Sequence, residues 1–253
     1  MIIEYHRPVE ISEALKLLSR KNPVTVPLGG GSYLTQHSPE ACAVVDLQSL
    51  GLNKIYRHGK EISLGAAVTL QQILDDKTPF QDMLRVSLKR EANLNQRNIA
   101  SLAGAISTAD GRSPLASVLI ALDAKLHWLP QGQNTSVEEW LILRNNSKPG
   151  LLIDQIILSI APQVYFETIS RTPADRPIVI VVLACWSSGR KRAVVGGFGS
   201  LPLLAYDGEI PTDIETAVEK ACSDAGDTWA SAEYRKTTAK ILAQRILNRC
   251  ESV

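Results

Sequence analysis

The residues whose types and spacing could do chemistry begin with the glycine run Gly29-Gly30-Gly31 and the hydroxyl of Ser32. Glycine has no Cβ and adopts φ > 0, so another group can approach its backbone closely. Consecutive main-chain N–H groups in such a turn form a concave anion-binding nest, and Ser32 can donate one more hydrogen bond. The pattern therefore predicts a phosphate-binding loop. A tight turn without a ligand is the alternative, because glycine runs commonly mark turns.

A second stretch suited to ligand contact runs over residues 93–112 and is rich in small side chains. Its polarity predicts a long loop, and loops of that length inside a compact domain are usually functional or disordered. Small residues let a backbone lie against a ligand, but they equally serve close packing of helices or strands. The composition alone leaves both interpretations open.

Other catalytic motifs are absent from the sequence. Ser32 and Ser113 lack the G-x-S-x-G context of a nucleophilic serine, because leucine replaces the second glycine in both. The four histidines form no H-E-x-x-H pair, no G-x-G-x-x-G opens a helix, and no Walker lysine follows the glycines. The four cysteines lie far apart, which gives no metal or iron–sulfur spacing. We therefore expect no catalytic residue and no metal, but a phosphate-containing cofactor that does its own chemistry.

The bulk composition is that of an ordinary globular chain. Its 253 residues are 45% hydrophobic and 21% charged, and 27 basic against 26 acidic side chains give a net charge of +1. This balance provides no basic field for nucleic acid. The longest apolar run, residues 178–186, is too short to span a bilayer, and the N-terminus lacks the apolar core of a signal peptide. These features, with the dispersed cysteines, predict a soluble cytoplasmic protein.

The glycine run is positioned by a small β-α-β-β unit at the start of the chain. Residues 11–18 carry apolar side chains on one helical face, residues 23–28 read as a buried strand, and residues 44–47 read as another strand. The elements predicted next are a strand over 61–66, a helix from Thr69 to Leu74, a helix over 80–92, a helix from Ser113 to Ala124, a strand over 125–129 and a short helix from Ser136.

The polar turn at residues 145–150 is the predicted main domain boundary. The chain beyond it becomes rich in strands, predicted over 153–160, 165–170, 178–186 and 192–197. Two helices follow, one capped by Asp213 and reaching about residue 225, the other over 232–249. This order predicts a separate α+β domain in which helices cover an antiparallel sheet.

Several motifs, in order, resemble the FAD-binding medium subunit of molybdenum hydroxylases, such as carbon monoxide dehydrogenase and bacterial xanthine dehydrogenase. The run from Leu28 to Leu34 stands where the family has Ala-Gly-Gly-Thr-Asp-Leu. The run from Gln96 to Ala105 aligns with the family's Ile-Arg-Asn-x-x-Thr-Ile-Gly-Gly-Asn. The opening residues 4–8, the segment 119–124 and the closing helix with 231–235 and 242–245 are similar as well.

The resemblance implies an α+β fold: two α+β subdomains of a PCMH-type FAD-binding fold, residues 1–55 and 56–148, followed by a C-terminal α+β domain, residues 149–253. It implies FAD as the cofactor and an oxidoreductase function in electron transfer. Electrons would pass from a molybdopterin-binding large subunit through an iron–sulfur small subunit to this FAD, and then to an external acceptor. Neither nucleic acid nor membrane insertion belongs to that function.

The resemblance also implies the cofactor-binding residues. They are Leu28, Gly29, Gly30, Gly31, Ser32, Tyr33, Leu34, Ser101, Gly104, Ala105, Thr108, Asp110 and Ile157.

Three features depart from the family pattern. Ala103 and Ala105 flank Gly104 in the second loop, Pro114 replaces an aspartate, and Glu167 replaces a lysine. Each lost polar contact weakens FAD binding on the order of 1 kcal/mol. The alternatives are therefore a flavin-free paralogue that serves as an interaction or assembly module, and a flavoenzyme acting alone. The lack of an acid–base constellation argues against the latter.

Overall fold

The structure is a computed structural model that describes residues 1–34, 41–78, 80–146, 148–209 and 214–251. It divides into two compact units, each assembled from separate segments of the chain. The first unit comprises Met1–Lys77, Asn93–Thr108 and Lys125–Ile157, and the second comprises Thr78–Ala92, Ala109–Ala124 and Leu158–Val253. Both contain helices and sheets, so the predicted α+β class is confirmed. The finer division at residues 55 and 148 stays a prediction.

The first unit opens with the predicted β-α-β-β arrangement. Strands β1 (Ile2–His6), β2 (Thr25–Leu28) and β3 (Cys42–Asp46) form a parallel sheet in the order β1-β3-β2. Helix α1 (Ile11–Leu18) buries Ala14 and Leu18 against the core of this unit. The prediction of a buried strand from residue 23 is wrong in part, because β2 lies at the sheet edge and only its first residue is buried. The edge position also tolerates Pro27, whose missing N–H costs no ladder bond there.

A five-stranded sheet completes the first unit, in the order β4-β5-β8-β6-β7. Its strands are β4 (Ile55–His58), β5 (Glu61–Gly65), β6 (Lys125–Leu129), β7 (Gln133–Ser136) and β8 (Leu152–Ser159). The sequence predicted β5, β6 and β8 but not the exposed strands β4 and β7. Helices α2 (Leu70–Asp75) and α7 (Val137–Leu143) begin at predicted caps, Thr69 with a full capping box and Ser136 accepting from Glu139 N.

The stretch over residues 93–112 is not the long loop that its composition predicted. It contains two short helices, α4 (Leu94–Ile99) and α5 (Leu102–Ser107). The Asn93 side chain accepts a hydrogen bond from Gln96 N at 2.9 Å, and Ser101 Oγ accepts one from Gly104 N at 3.2 Å. These caps are visible in the sequence. Helix α4 escaped prediction because it buries none of its residues, so no apolar periodicity marks it.

The second unit packs helices on an antiparallel four-stranded sheet, in the order β12-β11-β10-β9. The strands are β9 (Gln163–Ile169), β10 (Val179–Cys185), β11 (Lys191–Gly196) and β12 (Leu203–Gly208), and the helices are α3 (Asp82–Glu91), α6 (Pro114–Ala121), α8 (Ile214–Ala221) and α9 (Ala232–Glu251). The sequence missed β12, and α6 ends three residues before the predicted end. The predicted helix cap Asp213 lies outside the described residues. Among the described residues, no helix is long and apolar enough to cross a membrane.

Candidate functional site

The first unit contains a cavity of about 670 Å³, and every residue that lines it belongs to this unit. Its walls come from the β2 strand and the glycine run, one face of α5, two tryptophans and the segment 148–153. Nine of the predicted site residues line it: residues 29–34, Ser101, Gly104 and Thr108. The structure thus brings the two glycine-containing segments, more than sixty positions apart in sequence, to one cavity. Its volume lies within the usual range for small-molecule sites.

The glycine run packs directly against the connection between α4 and α5. A Cβ on Gly30 would lie 1.5 Å from the carbonyl oxygen of Ile99, and a Cβ on Gly29 would lie 2.2 Å from Ser101 Oγ. These two glycines are therefore required for the close approach of the two segments, whether or not a ligand is bound. Gly31 is needed for a different reason, because its φ of +69° lies in the left-handed region that favours glycine. A Cβ added to Gly31 would meet only a leucine methyl group at 3.5 Å.

Helix α5 is fixed at both ends by hydrogen bonds to its main chain, one from backbone and one from a side chain. Leu102 N donates to the Val68 carbonyl at 2.8 Å, and Arg144 Nη1 donates to the Ser107 carbonyl at 3.2 Å. The residues of α5 that line the cavity are Ala103, Gly104 and Ser107, followed by Thr108. This spacing places them on one face of the helix. Small side chains on that face leave the cavity open.

Two tryptophans form an aromatic part of the cavity wall. Trp128 on β6 and Trp140 on α7 lie with ring centroids 4.7 Å apart and ring planes inclined by 58°. Trp128 Nε1 donates to Thr135 Oγ1 at 2.8 Å, whereas Trp140 Nε1 is buried and donates to no group in the described part of the chain. A buried donor without a partner costs about 1–3 kcal/mol.

The charged lining of the cavity is positive. Arg20, Lys21 and Lys148 line it, and none of its described lining residues is acidic. Arg20 is held in place by Glu4, with 2.8 Å between Nη1 and Oε2. Hydrogen bonds from Arg20 and then from His6 lower the pKa of Glu4 to about 2, so this carboxylate stays ionised at neutral pH. An anionic ligand fits this lining better than a cationic one.

Four predicted site residues do not line the cavity. Leu28 ends β2 and its carbonyl accepts from Leu47 N, Ala105 lies on α5, and Ile157 stands opposite Lys125 in the β8–β6 ladder.

The fourth, Asp110, belongs to the second unit, where its Oδ2 accepts from Arg176 Nη1 at 2.8 Å. Burial opposes ionisation of Asp110, but the hydrogen bond and charge of Arg176 outweigh burial and lower its pKa. A role for any of the four in ligand binding stays a prediction.

Two of the positions that depart from the family pattern also belong to the second unit. Glu167 pairs with Arg249, with 2.7 Å between Oε1 and Nη2, so its charge is compensated locally. Pro114 is the first residue of α6 and follows the capping residue Ser113. The Glu91 carboxylate accepts from Ser113 Oγ at 2.8 Å, and burial raises the pKa of this carboxyl.

Sequence reasoning missed several residues of the cavity wall. No motif in the sequence marks Lys21, Lys148 or the two tryptophans. The turn that contains Lys148 and Gly150 was predicted as a domain boundary, yet it lines the cavity. Gly150 has φ of +85° and its N–H donates to the Leu18 carbonyl at 3.0 Å, so the turn is fastened to α1. The dipeptide Pro-Gly was the available signal, but it indicated a turn and not a ligand site.

The described residues contain no group of three or more histidine, cysteine, aspartate or glutamate side chains that could hold a metal ion. What the cavity offers is main-chain N–H groups, hydroxyls, cations and aromatic faces. This set suits binding and orientation of a large anionic aromatic ligand.

The structure is that of a two-unit α+β protein with a cavity whose lining suits such a ligand. The family model described as the FAD binding domain in molybdopterin dehydrogenase matches residues 1–161. The chain belongs to this family. The predicted resemblance and the predicted cofactor, FAD, are both confirmed by this match.

Similar proteins agree with this assignment. The YgfM protein of Escherichia coli strain K12 is 26% identical over 257 residues, covering 99% of this chain and 97% of that protein. The glyceraldehyde dehydrogenase medium chain of Sulfolobus acidocaldarius is 24% identical over 274 residues, covering 95% of each.

Solved structures share the fold at low identity. A chain of carbon monoxide dehydrogenase from Hydrogenophaga pseudoflava superposes with a TM-score of 0.80 at 18% identity, covering 98% of this chain and 96% of that one. A chain of quinoline 2-oxidoreductase from Pseudomonas putida 86 gives 0.79 at 20% identity, covering 97% and 95%.

Proposed function

We propose that this protein is the FAD-carrying electron-transfer subunit of a molybdopterin-dependent dehydrogenase or hydroxylase. It works with a molybdopterin-binding large subunit and an iron–sulfur small subunit, in the cytoplasm, and delivers electrons to an external acceptor. The family membership supports the cofactor. The named dehydrogenase and oxidoreductase relatives support the kind of complex.

The cavity of the first unit is the observation that carries the proposal. Its residues fit a dinucleotide on two independent counts: the positive lining suits a pyrophosphate, and the aromatic wall suits a ring system. The close packing of Gly29 and Gly30 against the α4–α5 connection keeps the site shaped in advance. A preformed site reduces the entropy cost of binding.

In this proposal the chain's own residues bind and orient the cofactor. The main-chain N–H group of Gly30 and the hydroxyl of Ser32 would hold its pyrophosphate, while Lys21 and Lys148 in the cavity lining add favourable charge. Bound FAD supplies the redox chemistry, namely the acceptance and release of electrons. The absence of an acid–base constellation in the sequence agrees with a subunit that passes electrons and does not itself transform a substrate.

The first test is the absorbance spectrum of the purified protein, followed by titration of the stripped protein with FAD. We expect flavin bands near one FAD per chain, or restoration of those bands on titration. A colourless protein that fails to bind added FAD would reject the proposal and favour the flavin-free paralogue. Copurification of the untagged complex with molybdopterin and iron–sulfur subunits tests the partners, and a flavoprotein isolated alone would contradict that part.

The second test places FAD in the cavity with a matched pair of substitutions on α5. Ala103 lines the cavity and Ala105 does not, although both are half-buried on the same helix. Ala103→Leu adds a branched side chain to the ligand space and is expected to weaken FAD binding about 10- to 100-fold, the usual cost of overpacking.

Ala105→Leu makes the same change outside the cavity and is expected to leave the FAD affinity within about threefold of the wild type. Equal losses in the two variants would contradict the cavity as the FAD site. Circular dichroism of both variants controls for folding.

A further inference from the structure

Two cysteines that are far apart in sequence meet at one end of the second unit. Cys185 is the last residue of β10, Cys250 lies in the final turn of α9, and their sulfur atoms are 3.2 Å apart. Both side chains are partly exposed. Sixty-five positions separate them in the chain, so only the packing of α9 on the sheet brings them together.

The two cysteines are held together by the packing of helix α9 against strand β10. Val181 and Leu183 of β10 share one apolar core with Leu242 and Ile246 of α9. Helix α9 runs over twenty residues, and its buried positions fix its register against the strand. The meeting of the two thiols is therefore a consequence of a well-packed interface and not of two free side chains.

The surroundings favour the protonated thiol. Burial, and then the hydrogen bond with Cys250, raise the pKa of Cys185 to about 12, against a small opposing effect of Lys191. Tyr165 lies close to both cysteines, and burial followed by the two thiols raises its pKa. The protonated Cys185 thiol is a poor ligand for a metal ion, since metals bind the thiolate. The other two cysteines, Cys42 and Cys222, are buried elsewhere.

We propose that Cys185 and Cys250 form a reversible disulfide, with a low-molecular-weight disulfide as the oxidant. The thiolate of Cys250, after loss of its proton to water, attacks a sulfur of that disulfide, and the small thiolate that leaves takes up a proton to give one small thiol. The second cysteine then attacks the mixed disulfide, closes the protein bond and releases the second small thiol. Two protein thiols are oxidised and one small disulfide is reduced to two thiols.

The link fastens the last turn of α9 to the end of β10. A disulfide that closes a long loop restricts the unfolded chain and raises stability in most natural cases. For a loop of this length in a chain of this size, oxidation is expected to raise the melting temperature by about 5–10 °C.

The experiment incubates the full chain with glutathione disulfide and measures intact mass, free thiols after denaturation, and melting temperature. We expect the loss of two hydrogens, a fall from four free thiols to two, and a peptide that contains both Cys185 and Cys250. A reducing agent is expected to reverse all three changes. Cys185→Ala and Cys250→Ala are each expected to remove the stabilisation, whereas Cys222→Ala keeps it and serves as the control.

Four outcomes would overturn the inference: unchanged mass, stable glutathione adducts on separate cysteines, a disulfide that joins two chains, or a pairing that involves Cys42 or Cys222. The peptide map of the wild-type chain decides the pairing even if an alanine variant fails to fold. The result is independent of FAD, so it also stands apart from the proposed function.

Discussion

Gly30 provides the sharpest test of what the glycine run does. Its substitution by alanine adds a single Cβ, which would lie 1.5 Å from the carbonyl oxygen and 2.4 Å from the carbonyl carbon of Ile99. Real Cβ contacts are essentially never shorter than 3.0 Å. The obstacle is backbone, so no side-chain rotation relieves it.

The expected magnitude follows from what must move. One of the two segments has to shift by roughly 1.5 Å, and overpacking of this kind typically costs about 1–3 kcal/mol. The shift also strains the bonds that fix the α4–α5 connection, such as Leu70 N to the Ala100 carbonyl at 3.1 Å and Leu102 N to the Val68 carbonyl at 2.8 Å. We expect Gly30→Ala to lower the free energy of unfolding by about 2–3 kcal/mol, which corresponds to about 5–10 °C in melting temperature.

The assay is thermal unfolding of the FAD-free protein, with Gly31→Ala and Gly51→Ala as controls. Gly31 and Gly51 have nearly the same φ, +69° and +70°, and neither Cβ would clash. Both controls therefore report the cost of a left-handed alanine, about 1–2 kcal/mol. Only Gly31 lines the cavity. We expect Gly31→Ala to weaken FAD binding and Gly51→Ala, at the same loss of stability, to leave it unchanged.

One result would refute the reasoning. If Gly30→Ala melts within about 1 °C of the wild type without FAD and loses only its affinity for FAD, then the glycine serves ligand approach alone. The packing that we describe between the two segments would then be wrong. A loss of stability in the absence of FAD, larger than that of Gly51→Ala, agrees with the packing.

Two further predictions concern charge. Lys21→Glu reverses a charge that lines the cavity, and we expect it to weaken FAD binding about tenfold at low salt and less at high salt. Lys16 is exposed on α1 and lies outside the cavity, so we expect Lys16→Glu to keep the wild-type affinity. Flavin fluorescence measures the affinity of both variants. Burial raises the pKa of Glu91 above its ordinary 4.5, so the folded state binds more protons there and stability is expected to fall as pH rises from 4.5 through the raised pKa. Glu91→Gln is expected to flatten this dependence in urea unfolding at a series of pH values, and an unchanged slope would contradict the assignment.

The local sequence predicted most of the elements that carry their own signals. Capping residues located the starts of α2, α6 and α7, and long apolar runs located β10 and β11. Among the elements that it missed, α4 buries none of its residues, and β4 and β7 bury none of theirs fully. Amphipathic periodicity reports burial, so an element with little burial leaves no trace in it.

The residues of the candidate site also fall into a group that the sequence could predict and a group that it could not. The glycine run and the residues around Ser101 and Gly104 could be found from sequence, because small residues next to a predicted strand and ordered motifs mark a ligand loop. The sequence could not predict the aromatic wall of Trp128 and Trp140 or the lining lysines Lys21 and Lys148. Long-range packing alone brings these residues to the cavity. The meeting of Cys185 and Cys250 belongs to this second group, since their separation in sequence gives no spacing to recognise.

The sequence by itself determined the family, the α+β class, the cofactor and the two segments that form the cavity, because these depend on local motifs in a fixed order. Only the tertiary structure decided why the glycines are there. Gly30 is needed where two backbones touch, Gly29 where the backbone meets the Ser101 side chain, and Gly31 for its positive φ. The sequence shows where a glycine stands. Which neighbouring atoms leave no room for a side chain at that position depends on contacts between distant parts of the chain.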